Sequence, residues 1–113
     1  MIAVSETSTF QNKVTRLLSE HDREELIAYL STHPTAGVIL EGTGGIRKLR
    51  WARLDSGKSG GIRVIYYFHN DSMPLYLLTV FGKNEKANLP RKELKQLSKI
   101  VKEIVEFWRK HDE

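Results

Sequence analysis

The chain has 113 residues, of which 40% are hydrophobic and 28% are charged. This length and mixture predict one folded domain spanning residues 1–113 and argue against disorder. The chain has no cysteine, which excludes disulfide bonds, thiolate catalysis and cysteine-based zinc sites. Neither a secretory signal nor an apolar run long enough to span a bilayer is present, so we expect a cytoplasmic protein without membrane contact.

The net charge of +4 is unevenly distributed along the chain. The segment from Ile46 to Phe68 contains six basic residues and only one acidic residue, Asp55. The basic residues are Arg47, Lys48, Arg50, Arg53, Lys58 and Arg63. Such a concentration favours a polyanionic partner, nucleic acid above all, although a solvated sheet face has a similar composition.

The first part of the chain predicts a short strand followed by two helices. Met1–Val4 can begin a strand, and the apolar residues within Thr7–Leu18 have helical spacing. Asp22–Thr32 predicts a second helix, because an apolar stripe is combined with acidic residues in the first turn. His33-Pro34 ends this helix, since the residue before proline disfavours the α conformation.

The second part of the chain predicts three strands and a final helix. The strands are expected at Ile46–Leu54, Gly61–His69 and Pro74–Phe81. Their short connections, among them a hairpin loop at Asp55–Gly60, favour an antiparallel meander. Pro90–Lys110 predicts an amphipathic helix, because apolar residues recur every three or four positions. The order β-α-α-β-β-β-α predicts an α+β fold with helices packed on one face of a small antiparallel sheet.

Alternation along the strands predicts where the basic side chains lie. Leu49 and Trp51 are expected to face the core, which places Lys48 and Arg50 together on the opposite side of the sheet. In the next strand Arg63 falls on this same side. We therefore predict that the three cations converge on one surface, where a bound anion relieves the repulsion between like charges.

Four segments of the chain resemble a known protein family. They are GTGGIRKLRWAR, GKSGGIRVIYYF, YLLTVFGKNEKANL and the final amphipathic helix. Together they resemble the RelE superfamily of bacterial toxins, in its HigB-like branch. The resemblance covers nearly the whole chain from Gly37 onward, and it implies a RelE-like α+β fold.

The resemblance implies a ribosome-dependent endoribonuclease, the toxin of a type II toxin–antitoxin pair, which cuts mRNA in the ribosomal A site and inhibits translation. The implied reaction is an attack of the ribose 2′-OH on the adjacent phosphate, with no metal and no other cofactor. The implied partners are the 70S ribosome with its mRNA and a helix-turn-helix antitoxin. Operator DNA is expected to bind only through that antitoxin.

The resemblance also implies roles for individual residues. Lys48 and Arg50 match a basic pair on the family's active-site sheet, and Arg63 matches the arginine of a G-x-R motif. Lys83 and Glu85 follow the last strand, where some members carry an acid or a base. The implied catalytic set is Lys48, Arg50, Arg63, Lys83 and Glu85. RNA binding is predicted for further basic residues and for one tyrosine on the face of Arg63, namely Arg47, Arg53, Lys58, Lys86 and Tyr67.

The proton-transfer group is left open by the sequence. Leu89-Pro90 stands where the best-known branch of the family has a tyrosine. Either the basic residues perform the chemistry, or Tyr67 or His69 takes the place of the missing tyrosine. Without such a group, the same basic face fits a non-catalytic nucleic-acid-binding module or a domain that binds an acidic protein.

Overall fold

The computed structural model describes residues 1–52 and 61–111. The elements in chain order are β1 (Val4–Glu6), α1 (Ser8–Val14), α2 (Glu20–Thr32), β2 (Val38–Ile39), β3 (Ile46–Trp51), β4 (Ile62–Tyr67), β5 (Leu75–Gly82) and α3 (Arg91–His111). The predicted order of elements is confirmed, with β2 as an additional strand of two residues. The hairpin loop expected at Asp55–Gly60 lies outside the described residues.

Hydroxyl side chains begin the first two helices. The Thr7 Oγ1 accepts a hydrogen bond from the backbone N–H of Phe10 at 3.2 Å, and the Ser19 Oγ accepts one from the N–H of Asp22 at 3.1 Å. Both contacts satisfy N–H groups that have no partner within the helix. Thr7 also donates from its hydroxyl to the carbonyl of Leu78 at 2.9 Å, which fastens the start of α1 to β5.

The sheet has the strand order β1-β5-β4-β3-β2. The pairs β2–β3, β3–β4 and β4–β5 are antiparallel, which confirms the predicted meander. However, β1 pairs with β5 in parallel, so the sheet is mixed rather than purely antiparallel. The reason is that α1 and α2 carry the chain to the far edge, and three reversals then return β5 beside β1 in the same direction.

Helices cover both faces of the sheet, whereas the sequence predicted one covered face. One core joins α1 and α2 to Val64 and Tyr66. The other core joins α3 to Ile65 and Tyr67. The physical reason is that β4 is apolar at consecutive positions, so both of its sides have to be removed from water. The α+β class is confirmed, and the prediction of a single covered face is wrong.

No helix within residues 1–52 and 61–111 has the length and apolar character of a membrane-spanning segment.

Candidate active site

Three cations lie on one side of the β3–β4 pair, and we call Lys48, Arg50 and Arg63 the basic cluster. Arg50 pairs directly with Arg63, and Lys48 pairs with Ile65 two positions along the strands. Directly opposed side chains of antiparallel strands point to the same face, with Cβ atoms about 5 Å apart. Within residues 1–52 and 61–111 neither arginine forms an ion pair. Two like charges therefore face each other across neighbouring strands.

Arg47 lies on the opposite side of β3 from the basic cluster. Its Nη1 donates hydrogen bonds to the backbone carbonyls of Thr35 at 3.2 Å and Gly37 at 2.8 Å. Arg47 pairs in the register with Tyr66, whose hydroxyl accepts a hydrogen bond from the N–H of Gly37 at 2.8 Å. Burial raises the pKa of Tyr66, which keeps this hydroxyl protonated. Arg47, which was predicted to bind RNA, thus holds the segment that precedes β2.

The segment after β5 approaches the basic cluster from the side of β5. The Lys48 Nζ donates a hydrogen bond to the Asn88 Oδ1 at 3.2 Å. The Lys86 Nζ lies 5.4 Å from the centroid of the Phe81 ring, within the range of a cation–π contact. Phe81 in turn pairs with Arg63 across β4 and β5. Lys86 is therefore a fourth cation on the same side of the sheet.

Glu85 makes contacts that hold the loop after β5. Its Oε1 accepts a hydrogen bond from the N–H of Gly82 at 2.6 Å, and its Oε2 lies 2.8 Å from the Arg16 Nη2. The Gly82 hydrogen bond, followed by that from Arg16, lowers the pKa of Glu85. A carboxylate stabilised in this way is a weak proton acceptor at neutral pH. Lys83, in contrast, has an exposed side chain, and its backbone N–H donates to the carbonyl of Gly61 at 3.2 Å.

Tyr67 and His69 form a pair at the other end of β4. Tyr67 is only 7% exposed, its hydroxyl lies 2.9 Å from the His69 Nδ1, and burial raises its pKa. Tyr67 pairs with Ile46, four residues along the strand from Arg63. Four residues of a strand extend about 13 Å. The structure therefore does not bring Tyr67 and His69 to the Arg63 end of the sheet, and the Tyr67 ring is covered rather than open to a base.

Of the residues predicted to bind RNA, Lys86 lies at the site, and Arg53 and Lys58 lie outside the described part of the chain. Lys86 also forms an ion pair with Glu93 at 3.3 Å. The predicted residues brought together are thus the basic cluster and Lys86, with Lys83 and Glu85 in the adjoining loop.

Two residues of this site, Asn88 and Arg16, were missed by sequence reasoning. Arg16 contacts Glu85 across 69 positions of the chain, so no local pattern indicates the contact. Asn88 is an amide in a loop of charged residues, and its partner Lys48 is 40 positions away. The only available signal was that Asn88 follows a strand predicted to lie in the same sheet as Lys48.

Residues 9–111 match the family model described as the RelE toxin of the RelE/RelB toxin-antitoxin system. The matched region contains the whole basic cluster and the loop after β5, and the five-stranded α+β structure is compatible with the RelE-like fold. Proteins of this family are in general mRNA-cleaving toxins that act on the ribosome and have an antitoxin partner. The chain belongs to the RelE toxin family, as its resemblance to these toxins predicted.

Proposed function

We propose that this toxin is a ribosome-dependent, metal-independent mRNA endoribonuclease of the HigB-like branch, which cuts mRNA in the ribosomal A site and stops translation in the cytoplasm. The observation that carries the proposal is the direct pairing of Arg50 with Arg63, with Lys48 on the same side. Opposed cations repel each other, and a phosphate bound between them removes that repulsion. Membership of the RelE toxin family supports mRNA as the source of this phosphate.

In the proposed reaction the ribose 2′-oxygen attacks the adjacent phosphorus, and the bond from phosphorus to the 5′-oxygen breaks. The 2′-OH loses its proton and the 5′-oxygen gains one, which leaves a 2′,3′-cyclic phosphate and a 5′-OH. Negative charge increases on the non-bridging oxygens in the transition state. Arg50 and Arg63 suit these oxygens because a guanidinium is always charged and donates two parallel hydrogen bonds. Lys48, oriented by Asn88, adds a third charge.

We assign most of the rate acceleration to this electrostatic stabilisation rather than to a dedicated base. The Glu85 carboxylate already accepts hydrogen bonds from Gly82 and Arg16, and the Tyr67 hydroxyl is hydrogen-bonded to His69 at the far end of β4. Fixed charges that face a developing oxyanion commonly contribute the largest single part of catalysis. In this proposal Lys83 and Lys86 flank the phosphate, and Glu85 supports the loop that carries both lysines.

The proposal extends to the partners of the toxin. Arg53, in the strand expected at Ile46–Leu54, is proposed to bind RNA, and Lys58, in the hairpin loop expected at Asp55–Gly60, is proposed to contact phosphates of ribosomal RNA. The antitoxin is proposed to carry a helix-turn-helix domain, through which the pair binds its operator DNA. A small helix-turn-helix gene directly beside the toxin gene is the observation expected from this part of the proposal.

The test is cleavage of mRNA on programmed ribosomes by the wild type and by Arg63→Ala. We expect Arg63→Ala to cut at least about 100-fold more slowly, the loss typical when one preorganised donor to an oxyanion is removed. Arg109→Ala is the matched control, because it removes an exposed arginine at the end of α3 and should cut normally. Mapping of the ends should find a 2′,3′-cyclic phosphate, and circular dichroism should show unchanged folding.

Two results would contradict the proposal. If Arg63→Ala cuts at the wild-type rate, the basic cluster does not hold the reacting phosphate. If the wild type binds RNA and ribosomes but cuts nothing, the cluster belongs to a non-catalytic nucleic-acid-binding module.

A further inference from the structure

A second basic surface lies along α3, outside the basic cluster. A groove of about 710 Å³ separates this helix from the turn that precedes β3. On the side of the helix, the groove is lined by four cations, namely Arg91, Lys95, Lys99 and Lys102. Glu41 is the single carboxylate among the described lining residues, and Leu89 and Leu94 contribute apolar surface. The groove therefore combines a positively charged wall with a partly apolar floor.

The four cations form one row because of helical periodicity. Their positions are separated by four, four and three residues, so their side chains project from the same side of α3. At 1.5 Å per residue the row is about 16 Å long. The helix also carries three acidic residues. Glu93 pairs with Lys86 and Glu106 pairs with Arg109, and in the described part of the chain Glu103 forms no ion pair with the row.

The opposite wall of the groove is held in place by Thr43. Its Oγ1 donates a hydrogen bond to the carbonyl of Leu40 at 2.6 Å and accepts one from the N–H of Ile46 at 3.1 Å. The carbonyl of Thr43 accepts a hydrogen bond from the Ser98 Oγ on α3 at 3.3 Å. Gly42 permits this tight turn, because its φ of +76° lies in the left-handed region. The two walls of the groove, the turn at Thr43 and the helix α3, are thus joined by a hydrogen bond.

The groove adjoins the basic cluster at the start of α3. Asn88 contacts Lys48, the next residue, Leu89, lines the groove, and Arg91 begins the row of cations. We propose that the α3 groove binds the phosphate backbone of the same RNA strand whose reacting phosphate lies on the basic cluster. This inference rests on the proposed function. A regular row of cations complements the regularly spaced negative charges of a single strand.

The experiment measures binding of non-cleavable, 2′-O-methylated RNA of three and of twelve nucleotides over a range of salt concentrations. The variant is Lys95→Ala combined with Lys99→Ala. The control is Lys92→Ala combined with Lys110→Ala, which removes the same charge from the same helix outside the groove. For the twelve-nucleotide RNA, we expect the slope of log Kd against log salt to fall by about 1.4 in the variant, or about 0.7 for each lost phosphate contact. The control, and all binding of the three-nucleotide RNA, should be unchanged.

Three outcomes would overturn this inference. If the salt slope for the twelve-nucleotide RNA falls equally in the variant and the control, the effect is one of overall charge and not of the groove. A loss of ribosome binding with unchanged binding of the twelve-nucleotide RNA would assign the groove to ribosomal RNA. A loss confined to antitoxin binding would assign it to an acidic protein segment. A failure of the proposed function would be recognised separately. In that case Arg63→Ala would cut mRNA at the wild-type rate, whatever salt slope the groove variant shows.

Discussion

Two arginines of this toxin differ in what lies opposite them. Arg23 on α2 meets Glu6 on β1, and its Nε and Nη2 each donate to a carboxylate oxygen at 2.8 Å. Arg63 on β4 instead faces Arg50 on β3. The first charge is neutralised within the protein and joins a helix to an edge strand. The second has no ion-pair partner in the described part of the chain, so an external anion can provide one.

The difference separates stability from function. A bidentate arginine–carboxylate pair is among the stronger polar contacts in a protein, whereas directly opposed like charges in a sheet are destabilising. Like charges opposed in this way are expected to lower stability, and in a member of the RelE toxin family such an arrangement fits the proposed phosphate ligand. The two arginines therefore should respond in opposite ways to removal.

The largest expected effect on stability is that of Arg23→Ala. The side chains of Arg23 and Glu6 are 19% and 16% exposed, and the hydrogen bond between them lowers the pKa of Glu6. Removing the guanidinium leaves this carboxylate ionised and partly buried without its partner. We expect the free energy of unfolding to fall by about 2 kcal/mol, as for other hydrogen bonds to charged groups. Urea denaturation measures this change.

The control for this experiment is again Arg109→Ala. Arg109 pairs with Glu106 at the exposed surface of α3, and such surface pairs contribute little to stability. Equal losses in the two variants would contradict the distinction between an internal partner and a surface partner.

The position of the basic cluster was predictable from the sequence for a simple reason. Successive side chains of a strand point to opposite sides of the sheet, and the apolar side of each strand is expected to face the core. Lys48, Arg50 and Arg63 therefore all fall on the other side, whatever the exact register between the strands. The burial of Tyr67 on that same side was not predictable. It depends on the packing of α3 against β4, which joins residues distant in sequence. An apolar run such as Val64–Tyr67 indicates burial, but not which helix supplies each cover.

A smaller effect is expected from Arg50→Ala, and its sign is opposite to that of Arg23→Ala. Removing one of two directly opposed cations should raise the free energy of unfolding by about 0.2–1 kcal/mol. Arg50→Lys keeps the charge and should show no such gain. Because the repulsion is lost only once, the double variant Arg50→Ala/Arg63→Ala should gain less than the two single variants added together.

A loss of stability in Arg63→Ala would contradict this account. It would support instead an ion pair between Arg63 and Asp55, which lies outside the described residues. The same urea denaturation experiment distinguishes the two interpretations, because repulsion and ion pairing predict changes of opposite sign.

The smallest expected effect is that of Glu85→Gln on cutting. Glutamine keeps an oxygen that can accept the hydrogen bond from the Gly82 N–H, and it loses only the charge that meets Arg16. If Glu85 acts by holding the loop that carries Lys83 and Lys86, the rate on programmed ribosomes should fall by no more than about fivefold, as expected for an exposed ion pair. Glu85→Ala loses both contacts and should cut more slowly than Glu85→Gln. Loss of a general base lowers rates by about 100-fold or more, so a decrease of that size in Glu85→Gln would assign Glu85 to proton transfer.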